Sequence, residues 1–187
     1  MKTNTKKSRT TFARKDNLIT FQETDLAGVK LVKLAPFEDH RGSYVELYNK
    51  ELYKKNGIDV SFVEDDISVS ERHVLRGIHG DTKTWKLISC LHGRFYLVVV
   101  NNDASSSQYK QWTSFVLSEQ NRMQVLIPPN FGNGHLVMSD QAIFHYKQSQ
   151  YYNPEGQFTL RWDDPEFGVW WPTETPILSQ RDQKGSW

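Results

Sequence analysis

The sequence has little of what marks several large protein classes. It contains one cysteine, Cys90, so an internal disulfide framework is excluded and a reducing, cytoplasmic setting is the expectation. Cys90 lies in the apolar stretch LISCLHG, which predicts a buried structural thiol rather than a nucleophile, because a reactive thiolate needs a polar, accessible site. Long hydrophobic runs are missing. The longest, FYLVVV, spans 95–100, far short of the about 20 residues of a membrane helix. Charge of one sign is not in excess either. Lys and Arg total 23 against 22 Asp and Glu, a net charge of +1, which argues against the concentrated positive field of a nucleic-acid binder. There is no Gly-rich phosphate loop ahead of a helix, as a nucleoside triphosphate hydrolase would need. There is no long amphipathic helix and no internal repeat. The opening MKTNTKKSRTTFARKDN is basic but has no apolar stretch behind it, unlike a secretory signal. Its composition predicts a mobile tail over 1–17, followed by a single domain over 18–187.

What is present is a series of short strand patterns. VKLVKL (29–34), SYVELY (43–48), WKLISCL (85–91), RFYLVVV (94–100), QWTSFVL (111–117), RMQVLIP (122–128) and AIFHYKQ (141–147) are rich in β-branched and aromatic residues and bounded by turn formers. RFYLVVV is apolar without alternation, which predicts an inner strand buried on both faces. One short helix is predicted over 49–57, opening on Asn49 and closing on Gly57. The Pro- and Trp-rich stretch DPEFGVWWPTETPILSQRD reads as an extended segment wrapping the body, with the final QKGSW loose. Many strands and little helix predict an all-β fold, a jelly-roll barrel or sandwich of the cupin type, whose interior can hold a small ligand.

Against that frame the segment HVLRGIHGDTKTWKL (73–87) is unusual. Arg76, His79 and Lys86 stand at the edge of the most apolar part of the chain. Cationic groups are costly to bury without an anion, and a phosphorylated ligand would supply one. The blander reading pairs Arg76 and Lys86 with Asp65, Asp66 or Asp81 at the surface. In FHYKQ, strand alternation puts Phe144 and Tyr146 on one face and His145 and Lys147 on the other. Tyr146 then reads as core packing or as a general acid with an ordinary pKa near ~10. Asp182, in LSQRD, matters if it reaches His79, where it would fix the ring tautomer and raise its basicity. No two histidines are two residues apart, so the usual His-x-His metal motif is missing and no metal is expected. A facial set of His79, His135 and an acid is the open alternative.

Eight motifs taken in order, FEDHRGSYVE, SFVEDDISVS, HVLRGIHG, WKLISCLHG, LIPPNFGNGHLVMSD, FHYK, WDDPEFGVWWP and LSQRD, resemble the dTDP-4-dehydrorhamnose 3,5-epimerase family over about Val29 to Asp182. The resemblance implies a cupin-fold isomerase that needs no cofactor and acts on a nucleotide-diphosphate-linked 4-keto-6-deoxy sugar in surface polysaccharide synthesis. It implies His79 as base, Asp182 as its orienting carboxylate, Tyr146 as proton donor and Lys86 beside the enolate oxygen. Arg76 and Arg41 match residues holding the substrate and its diphosphate, Arg41 reaching in from the neighbouring subunit of a homodimer. Glu46, in the first motif, joins the substrate-binding set.

The chain also departs from the family pattern. IHGD stands for LHYQ, and GNGH for AHGF, so Asn133 replaces a family His and His135 is new. Glu64 and Asp66 replace Gln and Asn. These four are read as substrate-binding residues that alter which nucleotide or sugar is held. The variant also looks like epimerases of GDP-linked keto-heptoses. A 3,4-ketoisomerase, a non-catalytic sugar-nucleotide-binding cupin and a metal-dependent cupin oxygenase are the alternatives.

Overall fold

The computed structural model describes residues 19–185; the tail expected over 1–17 lies outside the described residues. Strands β1 (Thr20–Glu23) and β2 (Lys30–Lys33) lead to a small hairpin, β3 (Phe37–Asp39) and β4 (Gly42–Tyr44), and to helix α1 (Lys50–Lys55). The body is carried by β5 (Glu64–Glu71), β6 (Leu75–Asp81), β7 (Lys86–His92), β8 (Arg94–Asn101), β9 (Trp112–Ser118), β10 (Met123–Ile127), β11 (Phe131–Val137) and β12 (Gln141–Gln148). The short strand β13 (Gln157–Thr159) and helix α2 (Gln180–Lys184) follow. Pairing is antiparallel throughout the sheets. One sheet runs β1-β2-β10-β7-β12-β5 and the other β13-β6-β11-β8-β9. The result is the expected all-β jelly roll of the cupin type.

Three apolar clusters hold it together. Between the sheets, Phe95, Leu97 and Val99 of β8 pack with Ile88, Val125, Ile127 and Phe144. The alternate residues of β8, Tyr96, Val98 and Val100, point outward, where Trp171, Trp162, Phe167 and Leu178 of the C-terminal segment cover them. The unbroken apolar run of β8 thus has two buried faces, and each fully buried aliphatic side chain contributes roughly 1.5–3 kcal/mol. On the outer face of the six-stranded sheet, Val32, Leu87 and Leu126 pack under Tyr53 of α1 and Ile58. Helix α1 matches the predicted 49–57 segment. Asn49 caps it by accepting from Leu52 N at 3.1 Å, and the chain leaves through Gly57 at φ +82°. Cys90 is buried, and that burial pushes its thiol up to about 12, the inert state expected of it.

Two expectations need correction. The strand expected over 43–48 ends at Tyr44. Beyond it Val45 and Leu47 turn inward onto the third cluster, and the Leu47 carbonyl is taken by the Tyr53 hydroxyl (3.2 Å) and Gln124 Nε2 (3.0 Å) rather than by a strand partner. The end is not loose from Gln183 onward, because Gln183 and Lys184 belong to α2. Ser179 caps that helix, accepting from Asp182 N at 3.1 Å, and Asp182 anchors it in the interior.

One irregularity decides where the chemistry sits. In β6, Arg76 and His79 are three residues apart, a spacing that would send their side chains to opposite faces of a regular strand. The β6–β11 register slips between Asn133↔His79 and His135↔Arg76, a bulge of one residue on β6. Both side chains therefore face the interior. Gly77 sits in the bulge at φ +114°, and a Cβ there would lie 2.6 Å from the Asn133 carbonyl oxygen. Only glycine fits.

Candidate active site

A cavity of about 600 Å³ lies between the sheets. His79 and Arg76 on β6, with Asn133 and His135 on β11, form one wall. Lys86 on β7 and Phe144 and Tyr146 on β12 form the other, and α2 supplies Arg181 and Asp182. Tyr146 shares its face with Phe144, while His145 and Lys147 point away and pair with Asp65 at 2.9 and 2.7 Å.

His79 Nε2 lies 2.7 Å from Asp182 Oδ1. Asp182 is only 3% exposed, and its second oxygen accepts from Ser179 Oγ at 2.8 Å. Burial works to raise this carboxyl, but the hydrogen bonds from His79, Ser179 and the Gly77 amide hold it below the ordinary value. An ionised carboxylate only accepts, so His79 carries its proton on Nε2. In the neutral ring Nδ1 then keeps the lone pair, and the carboxylate holds the ring's orientation. A C-terminal aspartate 103 positions away in sequence from His79 is brought to it by the cap of α2.

Lys86 is 7% exposed. Its Nζ donates to Asn133 Oδ1 at 3.2 Å, across the cavity. Burial pulls its pKa down to about 8, with Asp81 opposing and Arg181 adding to the fall. It remains a cation at neutral pH, and it makes none of the surface pairs with Asp65, Asp66 or Asp81 that the blander reading allowed. Arg76 likewise is held by Ser70, its Nε donating at 3.0 Å. Tyr146 is pushed up to about 12, first by burial and then by Asp66, Glu64 and Tyr152, so its hydroxyl is a proton donor. His135 is 3% exposed and stacked on Phe144 with centroids 4.1 Å apart. Burial, with Arg76 and His79 nearby, drives its pKa to about 3. It is a neutral ring whose Nε2 has no partner among the described residues.

Glu64 and Asp66 sit on the cavity-side face of edge strand β5, next to the wall. Gln148 Nε2 bridges them at 2.6 and 3.2 Å. Arg41 and Glu46 are not in the cavity of their own chain. Arg41 lies in the β3–β4 turn with its side chain 78% exposed, paired to Asp39 at 2.6 Å, and Glu46 accepts from Asn49 Nδ2 at 3.3 Å. Sequence reasoning missed Arg181, which lines the cavity and is steadied by Thr159 (2.9 Å) and Gln157 (3.1 Å). Its only signal was adjacency to Asp182. Gln148 was missed too; its signal was the period-two alternation from Phe144 through Tyr146. Among the described residues no group of three or more His, Cys, Asp or Glu is placed to hold a metal.

This arrangement puts an imidazole and a phenol on opposing walls with an ammonium in the phenol's wall, which suits moving a proton next to a carbonyl. Comparisons agree. The family model for dTDP-4-dehydrorhamnose 3,5-epimerase matches residues 23–187. The chain is 36% identical over 168 residues to the dTDP-4-dehydrorhamnose 3,5-epimerase of Methanothermobacter thermautotrophicus, covering 87% of this chain and 91% of that protein. It is 32% identical over 152 residues to the dTDP-4-dehydrorhamnose 3-epimerase of Streptomyces niveus, covering 78% and 72%. Among solved structures it superposes on the dTDP-6-deoxy-D-glucose-3,5-epimerase of Legionella pneumophila in complex with dTDP-4-keto-L-rhamnose. The TM-score is 0.86 at 32% identity, covering 90% of this chain and 92% of that one.

Proposed function

This chain belongs to the dTDP-4-dehydrorhamnose 3,5-epimerase family, and from that premise we propose that it inverts C3, C5 or both in a nucleotide-diphosphate-linked 4-keto-6-deoxy sugar. The observation carrying this reading is the His79–Asp182 pair facing Tyr146 across one cavity, with Lys86 in its wall.

The 4-keto group acidifies the neighbouring C–H bonds. His79 Nδ1 takes one proton, and the electron pair moves onto the carbonyl oxygen. Lys86 stabilises that oxyanion, a contribution worth about 10²–10³-fold for a preorganised donor. Tyr146, on the opposite wall, returns a proton to the other face of the carbon, so the centre is inverted. A positioned acid or base contributes about 10²–10⁴-fold. Arg76 and Arg181 give the diphosphate its countercharge, and Asn133 holds the Lys86 ammonium in place. Glu64 and Asp66 at the cavity rim and His135 in its wall set which sugar and nucleotide fit. The molecule works as a homodimer. Its exposed β3–β4 hairpin carries Arg41, and the segment after it Glu46, to the neighbouring subunit's cavity, in keeping with Arg41 lying outside its own.

The test is incubation with dTDP-, GDP- and CDP-linked 4-keto-6-deoxy sugars in D₂O. Deuterium enters C3 or C5 with the ketone kept at C4, and His79→Asn slows entry by about 10²-fold or more. A 3-keto product identifies a ketoisomerase instead. Binding without label identifies a non-catalytic module.

A further inference from the structure

Tyr146 and Asp66 stand directly opposite each other in the β5–β12 ladder. Opposed residues of an antiparallel pair project from the same face, so the Asp66 carboxylate stands beside the phenol on the cavity side. Gln148 closes the group, its amide donating to Asp66 Oδ2 at 3.2 Å and to Glu64 Oε1 at 2.6 Å. The Asp66 side chain is thus fixed by its neighbours. The other groups that face this corner are Glu64, Tyr152 and, from β7, Lys86 beside Gln148, with His79, Arg76 and Arg181 elsewhere on the cavity wall.

We propose that Asp66 is a positioning residue for Tyr146, orienting the phenol and opposing its ionised form, so that it helps decide how often the enolate is inverted rather than returned to its starting configuration. This rests on the epimerase reading of the site. Once His79 has taken the proton, two paths compete for the same enolate. In one, His79 gives its proton back to the face it came from. In the other, the Tyr146 O–H bond breaks, a C–H bond forms on the opposite face, and a phenolate is left to regain a proton from solvent. A carboxylate beside that phenolate raises its energy, so Tyr146 becomes a weaker donor and the second path slows. The upward pressure of Asp66 on the Tyr146 pKa, second only to burial, agrees with this.

In D₂O, counting the returns in which the proton held by His79 has first exchanged with solvent, the two paths leave different products, deuterium in inverted sugar and deuterium in recovered starting sugar, and the ratio of their initial rates cancels everything the shared enolate depends on. The probe is whichever of the dTDP-, GDP- or CDP-linked 4-keto-6-deoxy sugars takes up label fastest. Asp66→Asn keeps an oxygen acceptor and removes the charge, and it raises the ratio of inversion to return by about two- to fivefold. Asp65→Asn, on the opposite face of β5, leaves the ratio as it was. If Asp66→Asn changes KM alone, Asp66 contacts substrate and the proposal is overturned. Wild-type protein gives a check free of any folding defect: its ratio stays flat from about pH 8 to 10, whereas a fall centred at or below the ordinary tyrosine value near ~10 overturns it. Wild type that takes no label from any of the three sugars removes the epimerase reading and the Asp66 role together. Label with an unmoved ratio removes the Asp66 role alone.

Discussion

At the residue scale, Lys86 couples activity and stability in opposite directions. Its pKa falls from 10.5 to about 8 on burial, so the cation proposed to steady the enolate is present at neutral pH and is lost as pH rises through about 8. The rate of deuterium entry at low substrate falls above that pH, and a bound diphosphate moves the limb upward. For stability, the unfolded lysine binds its proton more tightly than the folded one between about pH 8 and 10.5, so the folded state gains stability as pH rises through that window. Lys86→Met removes both effects. It lowers the exchange rate by about 10²-fold, raises the melting temperature at pH 7, and loses the alkaline gain seen in wild-type melts. A melting temperature that falls would show that the buried ammonium is not a cost to the fold. His135 follows the same logic without a charge. Stacked on Phe144 and kept neutral, it adds a polar edge to the cavity wall that a phenyl ring would not.

At the element scale, the strands legible from sequence were those with apolar residues on two faces or in at least partial alternation, β2, β7 to β10 and β12. β5, β6 and β11 were not anticipated. Their inward faces carry Glu64, Asp66, Ser68 and Ser70, or Arg76 and His79, or Asn133 and His135, and a strand lining a polar cavity loses the hydrophobic period that announces a strand. The bulge on β6 was equally hidden, since it shows only in the slipped register with β11. Gly77→Ala tests its role. A side chain at φ +114°, with its Cβ 2.6 Å from the Asn133 carbonyl oxygen, costs about 2–4 kcal/mol. Exchange activity, measured where the variant is still folded by circular dichroism, falls further than stability because His79 and Arg76 no longer share a face. Equal losses in both would make the bulge purely structural.

At the scale of the whole molecule, the exposed hairpin and the cavity are two halves of one site if the protein is a homodimer. Arg41→Ala and His79→Asn are then each impaired alone. Mixed and allowed to exchange subunits, they form hybrid dimers in which one cavity receives an intact Arg41 from one chain and an intact His79 from the other. Activity recovers to roughly a quarter of wild type on random mixing. No recovery, together with a monomeric mass by light scattering, would put Arg41 outside the site. No helix among the described residues is long and apolar enough to cross a membrane.

The sequence by itself determined the class of fold, the buried inner strand, the inert Cys90 thiol of the strand before it, and, through the ordered motifs, the family. These follow from local apolar patterning and from short runs that keep their identity wherever the chain goes. Only the tertiary structure decided that Asp182 reaches His79, that Arg76 and His79 share a face, that Arg181 and Gln148 belong to the cavity, and that Asp66 stands against Tyr146. Each of those depends on a cap, a bulge or a strand register, and such features arise from pairing between segments far apart in the chain, which no local pattern encodes.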